Sequence, residues 1–124
     1  MIVVHSSAAM DLLLREPGYE AVAAKLCEAP EAMISPVAVM AVLLKLSKRY
    51  ADPAPILGTF LRQSGIGQRA VDAAQASWAR QGFLTYGQGA WSLADCFSYG
   101  AAKALEAPLL ATTDIFAKSD LRLA

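Results

Sequence analysis

The sequence has few of the features that mark a secreted or membrane-spanning chain. Its 124 residues contain only two cysteines, Cys27 and Cys96, which are too few for a disulfide framework. No positively charged segment followed by an apolar stretch opens the chain, so no secretory signal is recognised. The longest apolar run, residues 37–44, is far shorter than the ~20 residues that a membrane helix needs. We therefore expect a cytoplasmic protein that does not enter a membrane.

Net charge is absent as well, because 11 Lys and Arg residues are balanced by 11 Asp and Glu residues. A basic surface that neutralises phosphates is the usual sign of nucleic-acid binding. Any contact with RNA must therefore come from a local patch. Lys45, Lys48 and Arg49 form one such cluster, although cations at a helix end usually form a solvated terminus that suits the helix dipole.

The chain does have a large apolar share, 56% of its residues, against roughly 45–50% in ordinary soluble domains. Together with its length, this predicts a single domain over residues 1–124 with a substantial core. Part of the apolar excess is expected to cover a partner surface.

Short apolar runs alternate with helical patterns along the chain. Strands are predicted at residues 1–4, 32–35 and 108–111, with a further short strand at 121–123. Helices are predicted at residues 8–14, 19–29, 36–50, 56–62 and 72–80, and another is opened by Ser92 after a turn-rich loop at 82–89. This order predicts an α/β fold, a three-layer sandwich with a mostly parallel central sheet.

Polar residues follow each of the three main strands. In parallel sheets ligands bind beyond the carboxyl ends of the strands, so we expect one site to gather these residues. They are His5 and Ser6 after the first strand, Ser35 after the second, and Thr112, Thr113 and Asp114 after the third.

Two carboxylates are candidate ligands of a hard cation such as Mg²⁺. Asp95 lies in the first turn of an otherwise apolar helix, where Ser92-Leu93-Ala94-Asp95 also matches a capping box. Asp114 precedes a short helix and equally fits an ordinary N-cap. For each, local sequence favours the capping role, and the two could still converge with a group from strand one to hold a metal.

His5 is the group that strand one offers. A neutral imidazole binds transition metals and suits Mg²⁺ poorly, and a lone histidine is more often a structural residue. The hydroxyls of Ser6, Ser35, Thr112 and Thr113 could orient a ligand or a water molecule, although hydroxyls at helix starts are usually caps.

These segments resemble a known family. Residues 1–8, MIVVHSSA, resemble the opening of the PIN domain, an apolar strand followed by Asp-Ser-Ser-Ala, and residues 34–37, ISPV, resemble its second strand and the helix after it. Residues 86–89, YGQG, and 93–105, LADCFSYGAAKAL, are similar to the VapC-like stretch YGKG … LNxGDCFAYALAKAL. Residues 108–121, PLLATTDIFAKSDL, resemble PLLFKGDDFARTDL, with Asp114 on the first Asp and Ile115 on the second.

The resemblance implies an α/β sandwich whose clustered carboxylates bind Mg²⁺ or Mn²⁺ and cleave RNA. It also implies a homodimer and a small antitoxin protein as partners. Asp95 and Asp114 match family acidic positions, whereas His5 and Ala41 stand where the family has Asp and Glu. The loss of two carboxylates weakens a Mg²⁺ site that depends on hard oxygens.

Three hypotheses follow. The first is a VapC-like toxin, a metal-dependent endoribonuclease whose activity is weakened, with Asp95, Asp114 and His5 as candidate metal ligands. The second is a catalytically inactive PIN-fold module that binds an antitoxin-like protein, RNA or another copy of itself. The third is an inactivated version of an active toxin, which accounts for Asp-to-His and Glu-to-Ala changes equally well.

Overall fold

The computed structural model describes all 124 residues, which form one four-stranded sheet and six helices. The strands are β1 (Ile2–Val4), β2 (Ala32–Ile34), β3 (Gly67–Gln68) and β4 (Leu109–Leu110). Their order in the sheet is β3-β2-β1-β4, and every neighbouring pair is parallel. The predicted α/β class with a parallel central sheet is confirmed.

Two parts of the strand prediction need correction. Strand β3 was not predicted, because two exposed residues, Gly67 and Gln68, carry no apolar signal. The predicted strand at 121–123 is reduced to a single parallel bridge between Leu109 and Leu123. Two backbone hydrogen bonds, each 2.9 Å, join this segment to β4. The Leu109 N–H donates to the carbonyl oxygen of Arg122, and the Ala124 N–H donates to the carbonyl oxygen of Leu109.

Helices connect the strands in the predicted order. They are α1 (Ser6–Leu14), α2 (Tyr19–Glu28), α3 (Pro36–Ser47), α4 (Pro53–Ser64), α5 (Ala73–Gly82) and α6 (Leu93–Ala104). Helix α3 stops three residues before the predicted end at Tyr50, since residues 48–50 are exposed and have no core contact to extend it. The predicted loop at 82–89 contains one π-helical turn, Phe83–Gly87.

The sheet separates two apolar clusters, which makes the molecule a three-layer sandwich. Successive strand residues point to opposite faces, so Ile2 and Val4 join a core with α1 to α4, whereas Val3 joins a second core. The second core lies against α6 and contains the aromatic side chains of Trp91, Tyr99 and Phe116.

Helix α5 is held against α6 by a close approach at Gly100. A Cβ atom at this position would collide with the backbone carbonyl oxygen of Gln75 and crowd Ala79. The pair therefore packs at a distance that only glycine permits at this point. None of the helices is both long enough and apolar enough to cross a membrane.

Candidate functional site

His5 stands at the carboxyl end of β1 and is buried, with 3% of its surface exposed. It is the N-cap residue of α1, because its Nδ1 accepts the backbone N–H of Ser7 at 3.0 Å. On the other side of the ring, Nε2 lies 2.6 Å from Oδ1 of Asp95. The strand end thus holds the imidazole between two elements that are distant in sequence.

Asp95 serves both as a cap and as a member of this site. Its backbone N–H donates to Ser92 Oγ at 3.2 Å, and its Oδ2 accepts the Ser92 N–H at 2.8 Å, which completes the capping box of α6. Its second oxygen, Oδ1, faces His5. The capping role expected from the sequence is therefore confirmed, and it uses one of the two carboxylate oxygens.

The ionised form of Asp95 is favoured in the fold. Burial raises the pKa of this carboxyl, but the hydrogen bonds from His5 and Ser92 outweigh burial and bring the pKa below its usual 3.8. Asp95 is therefore a carboxylate at neutral pH. Because Nδ1 of His5 accepts an N–H, the ring proton lies on Nε2 and is donated to Asp95.

Ser7 extends this hydrogen-bonded chain to the loop after β4. Its Oγ lies 2.8 Å from His5 Nδ1, and it accepts the backbone N–H of Thr112 at 2.9 Å. These hydrogen bonds therefore connect the carboxyl ends of β1 and β4 with the start of α6. The connected residues are, in order, Thr112, Ser7, His5, Asp95 and Ser92. These contacts make the edge of the sheet a single polar unit.

A cavity of about 460 Å³ opens beside this unit. One part of its lining is formed by Ala41, Leu44 and Lys45 of α3 and by Lys48, the C-cap residue of that helix, and their numbers follow the i, i+3, i+4, i+7 spacing of one helix side. The other lining residues include His5, Ser6, Ser7, Ser92 and Asp95. Both positions where the family resemblance places lost carboxylates, His5 and Ala41, thus line the same cavity.

The loop after β4 contributes Thr113 and Ile115 to the cavity wall, and Asp114 between them is exposed and does not line it. Trp91 contacts the same loop, since its Nε1 donates to the carbonyl oxygen of Ile115 at 3.2 Å. The residue that faces the cavity is therefore Ile115, at the second Asp of the family pattern. Asp114 instead uses its backbone oxygen to accept the Ala117 N–H.

The other predicted hydroxyls have separate roles. Ser35 is fully buried, and its Oγ caps α3 by accepting the Val37 N–H at 3.3 Å. Thr112 is exposed and contributes its backbone N–H, and Thr113 Oγ1 accepts the Ile115 N–H at 3.5 Å. Of these four hydroxyl residues, Ser6 and Thr113 line the cavity.

The donor set supplies few of the ligands that a Mg²⁺ ion needs. No group of three His, Cys, Asp or Glu side chains is placed to hold a metal. Of the candidate ligands, His5 offers a nitrogen that is already bonded to Asp95, and Asp114 lies outside the cavity. Mg²⁺ requires near-octahedral oxygen ligands, and this cavity supplies one carboxylate whose two oxygens are both engaged.

Four residues of the site were missed or undervalued in the sequence. The usual interpretation of Lys45 and Lys48 is a solvated helix end, although their spacing from Ala41 places them on the same helix side as that residue. Ile115 was treated only as a replaced Asp. Ser7 carried no distinguishing local pattern, because its contact with Thr112 joins residues 105 positions apart.

Comparisons with known proteins agree with this fold. The PIN domain family model matches residues 2–117. A ribonuclease VapC of Mycolicibacterium smegmatis is 29% identical over 125 residues, covering 97% of each chain. Among solved structures, the sarcin–ricin loop cleaving toxin VapC20 of Mycobacterium tuberculosis superposes with a TM-score of 0.79 at 16% identity, covering 100% of this chain and 98% of that one. A toxin–antitoxin complex from Klebsiella pneumoniae superposes with a TM-score of 0.75 at 17% identity, covering 100% and 97%. The chain therefore belongs to the PIN-domain family and is VapC-like.

Proposed function

We propose that this chain, a single PIN-like domain over residues 1–124, is a VapC-like toxin that acts on RNA and whose metal-dependent endoribonuclease activity is weak. The observation that carries the proposal is the cavity at the carboxyl edge of the sheet. It is lined by His5, Ala41 and Asp95, three positions that the family resemblance assigns to the acidic site. The location of a nuclease site is retained while its ligands are largely replaced.

The weak activity follows from the ligands that remain. Asp95 is the one acidic side chain in the cavity wall, and Asp114, the second candidate, is exposed outside it. If Mg²⁺ or Mn²⁺ is the cofactor, as in the family resemblance, it finds one carboxylate here instead of a cluster. Each 1.36 kcal/mol of lost transition-state stabilisation costs tenfold in rate, so the loss of several ligands reduces cleavage by orders of magnitude.

An antitoxin protein and a second copy of the chain are the proposed protein partners. Support for the antitoxin comes from the Klebsiella pneumoniae neighbour, which is a toxin–antitoxin complex. Support for a homodimer comes from α3, where Met40 and Leu44 are 51% and 57% exposed. Large apolar side chains one helical turn apart form a surface suited to burial in an interface. An RNA-directed role of this kind implies a cytoplasmic location.

A second candidate function is a catalytically inactive module of the same fold, which binds RNA or a protein partner without cleaving. The specific observation in its favour is the direct hydrogen bond between His5 and Asp95 at 2.6 Å. This bond and the Ser92 N–H together give both oxygens of the carboxylate a hydrogen-bond donor within the chain, so neither oxygen depends on a metal ion as its partner.

Cleavage of a mixed RNA pool separates the two candidates. The parent chain and an Asp95→Asn variant are compared with Mn²⁺, with Mg²⁺ and with a chelator. A metal-dependent activity above that of Asp95→Asn supports the weak ribonuclease. Equal background from both chains under all three conditions rejects it and leaves the binding module.

A further inference from the structure

Three side chains at the carboxyl edge of the sheet form a line of hydrogen bonds that helix capping does not require. Oδ1 of Asp95 lies 2.6 Å from Nε2 of His5, and Nδ1 of the same ring lies 2.8 Å from the hydroxyl oxygen of Ser7. The cap of α1 uses only the backbone N–H of Ser7. A carboxylate, an imidazole and a hydroxyl in this order form the arrangement that activates a serine as a nucleophile.

The hydrogen-bond partners of Ser7 and His5 place the protons as such a nucleophile needs them. Nδ1 of His5 accepts the Ser7 backbone N–H at 3.0 Å, so this nitrogen carries the lone pair and the ring proton lies on Nε2 towards Asp95. The Ser7 oxygen accepts the Thr112 backbone N–H at 2.9 Å. Its hydroxyl proton is then donated to Nδ1, and one lone pair of the oxygen is left for attack. His5 is thus in the tautomer that can take a proton from Ser7.

Ser7 is the most accessible of the three residues. His5 and Asp95 are 3% and 8% exposed, whereas Ser7 is half-buried and lines the cavity of about 460 Å³. Ser7 also lies in the first turn of α1, where the positive end of the helix dipole favours negative charge that develops beside its oxygen. Lys45 and Lys48 add positive charge to the same cavity. A substrate can therefore reach the hydroxyl from the cavity while the imidazole and the carboxylate stay shielded from water.

We propose that Ser7, His5 and Asp95 form a metal-independent hydrolytic site for small carboxylic esters, with Ser7 as the nucleophile. His5 is the general base, and Asp95 holds the imidazole in its tautomer and stabilises the imidazolium that forms. The inference goes beyond the proposed function, because it requires neither RNA nor a metal ion. The two activities can therefore be present or absent independently of each other.

The reaction proceeds through an acyl intermediate on Ser7. The hydroxyl oxygen bonds to the carbonyl carbon of the ester while its proton moves to Nδ1 of His5. The bond from that carbon to the leaving oxygen then breaks, and His5 gives the proton to the departing alcohol. Water attacks the acyl group on Ser7 and passes a proton to His5, which returns it to the Ser7 oxygen as the carboxylic acid leaves. No external oxidant, reductant or cofactor is consumed.

The first experiment measures hydrolysis of 4-nitrophenyl acetate in the presence of a chelator. The parent chain is compared with Ser7→Ala and with Asp95→Asn. The matched control is Ser77→Ala, because Ser77 is exposed on α5 and does not line the cavity. Circular dichroism shows whether each variant is folded.

We expect a burst of about one nitrophenolate per chain as the acyl intermediate accumulates. The value of kcat/KM should fall by at least about 100-fold in Ser7→Ala and in Asp95→Asn, and it should be unchanged in Ser77→Ala and on replacing the chelator with Mg²⁺. Ser7→Ala that hydrolyses the ester as fast as the parent chain overturns the proposal. Hydrolysis that requires Mg²⁺ also overturns it.

Covalent labelling of the parent chain tests the nucleophile directly and does not depend on any variant folding. A fluorophosphonate probe should form one adduct, which mass spectrometry of the digested chain should place on Ser7, and heat-unfolded chain should not react. An adduct on another residue, or no adduct on the folded chain, rejects Ser7 as the nucleophile. Because RNA cleavage is assayed with a metal and ester hydrolysis with a chelator, failure of this inference leaves the proposed function standing, and the reverse also holds.

Discussion

His5 Nε2 lies 2.6 Å from Asp95 Oδ1, across 90 residues of sequence, and this hydrogen bond occupies one of the two oxygens of the carboxylate that lines the cavity. His5 stands where the family pattern has a carboxylate, and it also forms a hydrogen bond with Asp95, the carboxylate that remains in the cavity lining. The two changes act in the same direction, because each removes an oxygen ligand from the site. At this end of the sheet, His5 and Asp95 are retained as a hydrogen-bonded pair of side chains.

Restoring the acidic ligands should restore metal binding. In a variant with His5→Asp, Ala41→Glu and Ile115→Asp, three carboxylates are added beside Asp95, and their mutual repulsion makes a divalent cation stabilising. We expect Mg²⁺ to raise the melting temperature of this variant, by an amount equivalent to about 2.7 kcal/mol at 100 times its Kd. Scanning calorimetry of the parent chain, in which Mg²⁺ should cause no shift, provides the comparison.

The same restored variant tests the choice of Ile115 over Asp114. Metal-dependent RNA cleavage should increase by at least about 100-fold, equivalent to ~2.7 kcal/mol of transition-state stabilisation. A version that restores only His5→Asp and Ala41→Glu should gain less. If the double and the triple variant gain the same cleavage activity, Ile115 does not face the reacting groups. As a control, adding Asp95→Asn should abolish the gained activity in either variant.

The position of Ile115 shows where sequence-based inference stopped. Alternation of short apolar runs and helical patterns was sufficient to predict a parallel sheet and the positions of its three main strands. It could not decide between Asp114 and Ile115, because adjacent loop residues have no fixed periodicity and their directions are set by tertiary contacts. In the structure Ile115 lines the cavity and Asp114 is exposed, and the Trp91 Nε1 hydrogen bond to the Ile115 carbonyl is one tertiary contact of this loop.

The acidic site itself was only partly accessible to sequence. The resemblance aligned His5, Ala41 and Asp95 with acidic positions of the family pattern. In the structure all three residues line one cavity. Direct bonding of His5 to Asp95 could not be foreseen, since capping alone explained Asp95 locally. Capping and pairing coexist because a carboxylate has two oxygens, each able to accept a different donor.

Acidification should weaken the contribution of Asp95 to stability. Its pKa in the folded chain is below the usual 3.8. The stability that ionised Asp95 contributes is therefore fully present above pH 3.8, and it is lost as the pH falls through the lower pKa of the folded chain. We expect Asp95→Asn to lower the free energy of unfolding by about 2 kcal/mol at pH 7. Urea denaturation at several pH values should show this difference shrinking below pH 3.8. A difference that is constant down to pH 2 would contradict the assigned pairing.

Alkaline conditions should weaken the contribution of Tyr99. Burial and the hydrogen bond that its hydroxyl donates to Asp120 at 2.8 Å raise the pKa of this phenol well above its usual 10.0. The folded chain therefore keeps a proton that the unfolded chain releases, and stability falls as pH rises above 10. Tyr99→Phe should cost about 1 kcal/mol at pH 7, and its difference from the parent chain should narrow above pH 10. Tyr50→Phe, at an exposed tyrosine, should show no such narrowing.

The contact between α5 and α6 predicts opposite effects for one substitution at two glycines. In an open helix, replacing Gly by Ala gains about 1 kcal/mol because Ala has the higher helix propensity. At Gly100 the added Cβ collides with the Gln75 carbonyl oxygen, which belongs to rigid helix backbone, and overpacking of this kind costs about 1–3 kcal/mol. Gly58 in α4 has only the end of the flexible Arg62 side chain nearby, at 3.3 Å.

We therefore expect Gly100→Ala to lower the melting temperature and Gly58→Ala to leave it unchanged or raise it, as measured by thermal denaturation followed by circular dichroism. The substitution is identical and both sites are helical, so propensity cancels in the comparison. If the two variants shift in the same direction and by similar amounts, the close approach of α5 to α6 is relaxed in solution. A loss confined to Gly100→Ala shows that this contact holds α5 in place against α6.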